Sequence, residues 1–203
     1  MVQSTRYGRC LRAATRIAIF VALLWTSPTS QAANDPVREY VDELTAASVT
    51  VTVESLVFAR ERTDLAVNAR DYVTLAPLEI NRTGKREYFW SGYLWSTIDR
   101  RDRQPLLAKG DELILLADGR PIYLRSDGTT VRDHGIGQPP TPAPTRTAEP
   151  VLFATDPEAI SYVAHATELH IELIHAGSSD SLSLWKGKPA KFGAFVERVA
   201  PTK

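Results

Sequence analysis

The residues of this 203-residue chain best suited to chemistry are four histidines and a few clusters of charge. Three histidines share the stretch "HATELHIELIH": His165, His170 and His175, with Glu172 between the last two. On a strand His170 and Glu172 point the same way and could form two arms of a metal site. His175 has the opposite parity, and His165 sits on the element before. Leu169, Ile171 and Leu173 alternate with the polar pair, which places His170 and Glu172 on the solvent side. A solvated face is therefore the favoured reading, and no metal or other cofactor is expected. His134, beside Asp133 in "RDHGIG", could serve as a loop base, but no nucleophile accompanies it.

Arginine is the second candidate chemistry. "STIDRRDRQP" gathers Asp99, Arg100, Arg101, Asp102 and Arg103. Guanidinium groups grip carboxylates and phosphates bidentately, so Arg100, Arg101 and Arg103 could clamp an anion. Self-pairing with the neighbouring aspartates is the plainer alternative. The connection "VFARERTDLAVNARDY" mixes charges in the same manner. Carboxylates such as Glu54 and Glu79 would serve glycoside hydrolysis only if they converged in a cleft. Phosphate-loop, serine-elbow and zinc-protease patterns are absent from the sequence.

The third candidate is aromatic. "REYFWSGYLWS" places Tyr88, Phe89, Trp90, Tyr93 and Trp95 within eight positions. On a strand Tyr88, Trp90 and Leu94 face one way, and Phe89, Tyr93 and Trp95 face the other. Two apolar faces point to a central, buried strand rather than a one-sided platform. Gly92 marks a bulge or a close backbone approach. The sharper alternative leaves Tyr93 and Trp95 open to stack on a sugar or peptide.

Several elements must position these residues. Residues 1–32 read as a secretory signal: Arg6, Arg9, Arg12 and Arg16, then "IAIFVALLW", then small residues up to Ala32. The expected location is periplasmic or secreted, after cleavage near Ala32. The apolar run is too short to span a bilayer, and no later segment is long enough, so no transmembrane segment is expected beyond residue 32. The lone cysteine, Cys10, lies inside the signal, so disulfides and thiolate chemistry are excluded from residue 33 on. Four of the 24 basic residues and none of the 24 acidic ones precede Ala32, which leaves the remainder at a net charge of −4. That balance argues against a nucleic-acid partner.

From residue 33 the pattern is mainly β, α+β overall. "NDPVREYVDELTAAS" has a helical spacing of Val37, Tyr40, Val41 and Leu44 behind a cap and Pro36. "SVTVTVESLVF" then alternates as one strand. "DYVTLAPLEI" reads as a strand at an edge or bulge, because Pro77 cannot donate to a ladder. "NRTG" is a turn, and Asp118-Gly119 marks a hairpin. Residues 33–137 are thus expected to form an N-terminal helix and about five antiparallel strands, as a sandwich or partly open barrel. Residues 138–150, "QPPTPAPTRTAEP", carry five prolines and read as an extended linker. Residues 151–203 read as helix, β-hairpin and helix, docked on the first part. "DPVREYV" before the first strand echoes "DPEAISYV", which hints at a duplication.

These features favour an exported, non-catalytic envelope module that binds a protein or a glycan. The alternatives are an envelope hydrolase with an unrecognised site, and an assembly factor that captures an extended segment at a sheet edge, with the Pro77 strand as its candidate edge.

Overall fold

The structure, a computed structural model, describes residues 35–98, 107–175 and 178–200. The expected signal segment, residues 1–32, and Arg100, Arg101 and Arg103 lie outside the described residues. Ten strands form one antiparallel sheet: β1 (Val37–Val41), β2 (Ser48–Thr52), β3 (Leu56–Glu61), β4 (Arg70–Arg82), β5 (Lys85–Ser96), β6 (Glu112–Ala117), β7 (Arg120–Arg125), β8 (Glu149–Thr155), β9 (Leu169–His175) and β10 (Ser178–Lys186). The main path runs β8-β5-β4-β3-β10-β9-β6-β7, and β2 and β1 branch from the far half of β4. The sheet curls into a partly open barrel. Helix α1 (Pro157–His165), a 3-10 turn (Pro189–Phe192) and helix α2 (Gly193–Val199) fill its concave side.

Residue alternation builds two cores from one sheet. The concave face carries Phe58, Leu75, Trp90, Leu94, Leu115 and Phe153, packed on Ile160 and Val163 of α1 and on Phe192 and Phe195. Trp90 lies 5.8 Å from Phe192, centroid to centroid. The opposite face carries Val49, Val51, Leu78, Ile80, Phe89 and Leu152, covered by Ile136 from the chain between β7 and β8. The aromatic strand β5 is therefore buried on both faces along its middle, with Phe89 facing one core and Trp90 the other.

The N-terminal segment expected as a helix is the strand β1. Asp35 accepts a bond from the Val37 N–H at 2.9 Å, Pro36 opens the strand, and Val37 enters the concave core. Asp42 ends it by folding the chain back, bonding the N–H groups of Leu44 and Thr45. Burying Val37 and pairing with β2 outweigh a weak helical spacing in a segment rich in valine and tyrosine. The single strand expected over 48–58 is broken at Val53–Ser55 into β2 and β3.

Pro77 lies in a central strand, not at an edge. The two-residue turn Thr83–Gly84, both with positive φ, fixes which β4 residues bond to β5. By that register the even residues of β4 face β5 and the odd ones face β2 and β3. The missing Pro77 N–H thus points at the break, between Val51 opposite Leu78 and Leu56 opposite Leu75. No ladder bond is lost.

The segment 138–150 lies along the sheet rather than extending from it. Pro140 and Thr141 are buried. The Tyr93 hydroxyl donates to the Thr141 carbonyl at 2.9 Å, and Arg38 donates to the Pro140 carbonyl. Downstream, β8, β9 and β10 are hydrogen-bonded into the same sheet as β3, β5 and β6, so the described residues fall in one compact unit. No described helix is long and apolar enough to cross a membrane.

Candidate functional site

Cross-strand register lines up one row on the outer face. Trp95 lies opposite Tyr72, Tyr72 opposite Ala59, Ala59 opposite Ser183, and Ser183 opposite His170. Tyr72 and Trp95 stack at 4.9 Å with ring planes 10° apart. The small Ala59 stands between them and β10. Trp185 rises on the far side, 58% exposed, where β10 shifts register between Leu184 and Lys186. Such an irregularity re-aims a side chain. The Arg70 guanidinium lies 4.5 Å from the Trp185 ring centroid and closes the gap toward Tyr72.

Arg70 is held rather than loose. Its Nη2 donates to Glu61 at 2.9 Å, and the Glu61 bond, then the Tyr72 hydroxyl, favour its charged form. Its Nε is buried and has no hydrogen-bond partner. The result is a strip of Trp95, Tyr72, Arg70 and Trp185 that crosses four strands. Three strand spacings of about 4.8 Å give it a length of about 14 Å. An indole backed by a guanidinium offers a flat, electron-rich surface with polar groups at its rim.

Trp95 belongs to this strip as a half-buried residue, through its stack on Tyr72. Tyr93 does not: it is 7% exposed beneath the proline-rich segment, and burial raises its hydroxyl pKa. Sequence reasoning missed Trp185, Tyr72 and Arg70. The signal was present in "LSLW", where Leu182 and Leu184 point inward and leave Ser183 and Trp185 outside.

His170 and Glu172 share the outer face, opposite Ser183 and Ser181. Among the described residues no group of three His, Cys, Asp or Glu side chains could hold a metal ion. The His134 ring packs edge-on against Phe89 at 4.7 Å, and Asp133 is spent on the Thr130 N–H and hydroxyl.

Glu54 and Glu79 do not converge. Glu54 pairs with Lys191 at the surface. Glu79 is 5% exposed on the concave face, 3.2 Å from Arg86 Nε, and its Oε1 makes no hydrogen bond. Burial holds its pKa above the usual carboxylate range, Arg86 opposes that, and Glu39 adds to it. Arg86 also donates to the Val199 carbonyl at 2.8 Å, so this belt ties α2 to the sheet. At the other end of the barrel Asp71 is gripped by Arg60 and Arg62, and Arg60 also reaches Asp180. Both networks tie elements together and leave no carboxylate pair facing a cleft.

No family model, curated protein or solved structure matches this chain.

Proposed function

We propose that the chain is an exported, non-catalytic binding module that holds a glycan across the strip of Trp95, Tyr72, Arg70 and Trp185. The observation that carries this reading is the exposed Trp185 indole, backed by Arg70, beside the Tyr72–Trp95 stack. Sugar rings stack their C–H faces on aromatic surfaces, while hydroxyls find rim groups such as Glu61 and Arg70. The strip's length fits a short saccharide chain better than a single ring. A sheet holds such a surface rigid, so little ordering entropy opposes binding. The basic-apolar-small pattern of residues 1–32 supports export to the envelope, where glycans are the abundant partners.

Affinity electrophoresis of the purified protein through gels containing envelope and cell-wall polysaccharides tests the reading. At least one polymer is expected to retard the wild type, and Trp185→Ala is expected to run free in it. Equal retardation of both forms, or none in any polymer, would remove the proposal.

A further inference from the structure

The barrel's open seam carries a second site. The two edge strands there are β7, which pairs only with β6, and β8, which pairs only with β5. The turn Asp118–Gly119, with φ of 46° and 80°, joins Ala117 directly to Arg120. That register turns the backbone groups of Arg120, Ile122 and Leu124 toward β6 and those of Pro121, Tyr123 and Arg125 toward the seam. On β8 the register with β5 turns Pro150, Leu152 and Ala154 toward the seam. Each edge therefore has a proline where an outward N–H would stand. The seam cannot zip shut fully, and an added peptide strand is poorly served along it.

A groove of ≈ 760 Å³ lies there, between β7, the end of β8 and α1. Its size is in the range of small-ligand sites, about 300–1,000 Å³. Ile122 and Ala159 give it an apolar lining over the buried Leu124, and Tyr123, 63% exposed, stands at its rim. One end is cationic. The Arg120 guanidinium lies 4.6 Å from the Tyr162 ring centroid, and among the described residues it has no carboxylate partner. The Tyr162 hydroxyl donates to the Ala117 carbonyl at 3.4 Å, which fixes the ring under Arg120. His165 sits one turn further along α1, with Nδ1 2.7 Å from the Ser161 carbonyl. A carbonyl only accepts, so Nδ1 carries the hydrogen and Nε2 presents a lone pair. The groove also carries two carboxylates: Glu158, one turn before Tyr162 on α1, and Asp156, which is spent capping the Ala159 N–H.

We propose that this groove binds an anionic amphiphile: a carboxylate or phosphate head at Arg120, with an apolar chain laid along Ile122 and Ala159. An unpaired guanidinium at the end of an apolar trough supplies the charge complementarity, and the two prolines disfavour the rival occupant, a peptide strand. The site is independent of the glycan strip on the outer face.

Calorimetric titration of the purified protein with dodecanoate, dodecyl phosphate, dodecylamine, acetate and inorganic phosphate tests it. Either or both of the first two are expected to bind; which one does separates a fatty-acid head from a phosphorylated one. Dodecylamine should bind at least about tenfold more weakly, and acetate and inorganic phosphate weaker still. Arg120→Glu should abolish binding, Arg120→Lys should retain it within about threefold, and Trp185→Ala should leave it unchanged. If Arg120→Glu fails to fold, Ala159→Trp, which fills the trough and spares the cation, takes its place and should also abolish binding. Dodecylamine binding as tightly as dodecanoate, unchanged binding by folded Arg120→Glu or Ala159→Trp, or no binding of either anionic amphiphile would overturn the proposal.

Discussion

Gly92, opposite Leu75 in the β4–β5 ladder, lies against the Thr74 backbone carbonyl with no room for a side chain at the glycine. A Cβ on Gly92 would stand 1.7 Å from the Thr74 carbonyl oxygen and 2.7 Å from its carbon. Both atoms are backbone, so neither can swing away. Thr74 also lends its side chain to the ladder: the Tyr93 N–H bonds to Thr74 Oγ1 at 2.9 Å. This close approach sets the path of β5 just before Trp95 meets Tyr72.

Gly92→Ala is accordingly expected to cost at least about 3 kcal/mol, because backbone must move in the centre of the sheet. Chemical denaturation measures it. A loss under about 1 kcal/mol would mean that the two strands can part more easily than the contact implies.

Tyr93→Phe removes the bond to Thr141 and little else. The expected loss is about 1 kcal/mol. Hydrogen exchange should quicken across residues 126–148 and stay unchanged in α1. Uniform exchange across both regions would show that Tyr93 does not hold the proline-rich segment down.

Glu79→Gln should stabilise the protein at neutral pH. Burial raises the folded-state pKa of Glu79, so the folded state holds its proton more tightly than the unfolded chain does. Its contribution is most favourable below the ordinary carboxylate pKa and is lost as pH rises through the raised value. A permanently neutral side chain avoids that loss, and Arg86 keeps the Val199 carbonyl and its access to water. A gain of about 1 kcal/mol would raise Tm by about 2–4 °C, and the gain should vanish in acid. A lower Tm at neutral pH would show that the Arg86 pairing outweighs the burial.

Asp42→Asn should act with the opposite sign. The Asp42 carboxylate accepts from the Gly137 N–H at 2.8 Å and from the N–H groups of Leu44 and Thr45. The Gly137 bond is the largest cause of its lowered pKa. Its contribution is present above the ordinary carboxylate pKa and lost as pH falls through the depressed one. The variant should therefore melt lower at neutral pH and show a shallower loss of stability in acid. Parallel pH profiles for the two proteins would refute the assignment.

The mainly-β, partly open architecture was legible because valine alternation and turn residues are local signals. Asp118-Gly119 takes the positive-φ turn its types call for, and the NRTG stretch turns at Thr83-Gly84. The burial of Phe89 and Trp90 on opposite faces followed from parity alone. What failed depended on distant partners. "DPVREYV" and "DPEAISYV" look alike, yet the first is β1 and the second opens α1. Only the neighbouring β2 decides the first. Pro77 suggested an edge because the break in the facing strand is invisible from β4. The aromatic strip was half legible: Trp95 stood out in its aromatic run, whereas Tyr72, Arg70 and Trp185 meet it only through pairings of β3 with β4 and β10.

β10 lies between β3 and β9, and its partners come from opposite ends of the chain: Val57 to Ala59 on one side and His170 to His175 on the other. Among the described strands it is the one link between β1–β5 with β8 and the group β6, β7 and β9. A chain truncated before Ser178 would therefore fall into two sheets sharing no hydrogen-bonded strand. Synthesis delivers this bridging strand more than a hundred residues after β3, which must wait that long for its neighbour. Such long-range closure is slow and leaves edges bare in the meantime. The half-made protein is the form most in need of a chaperone.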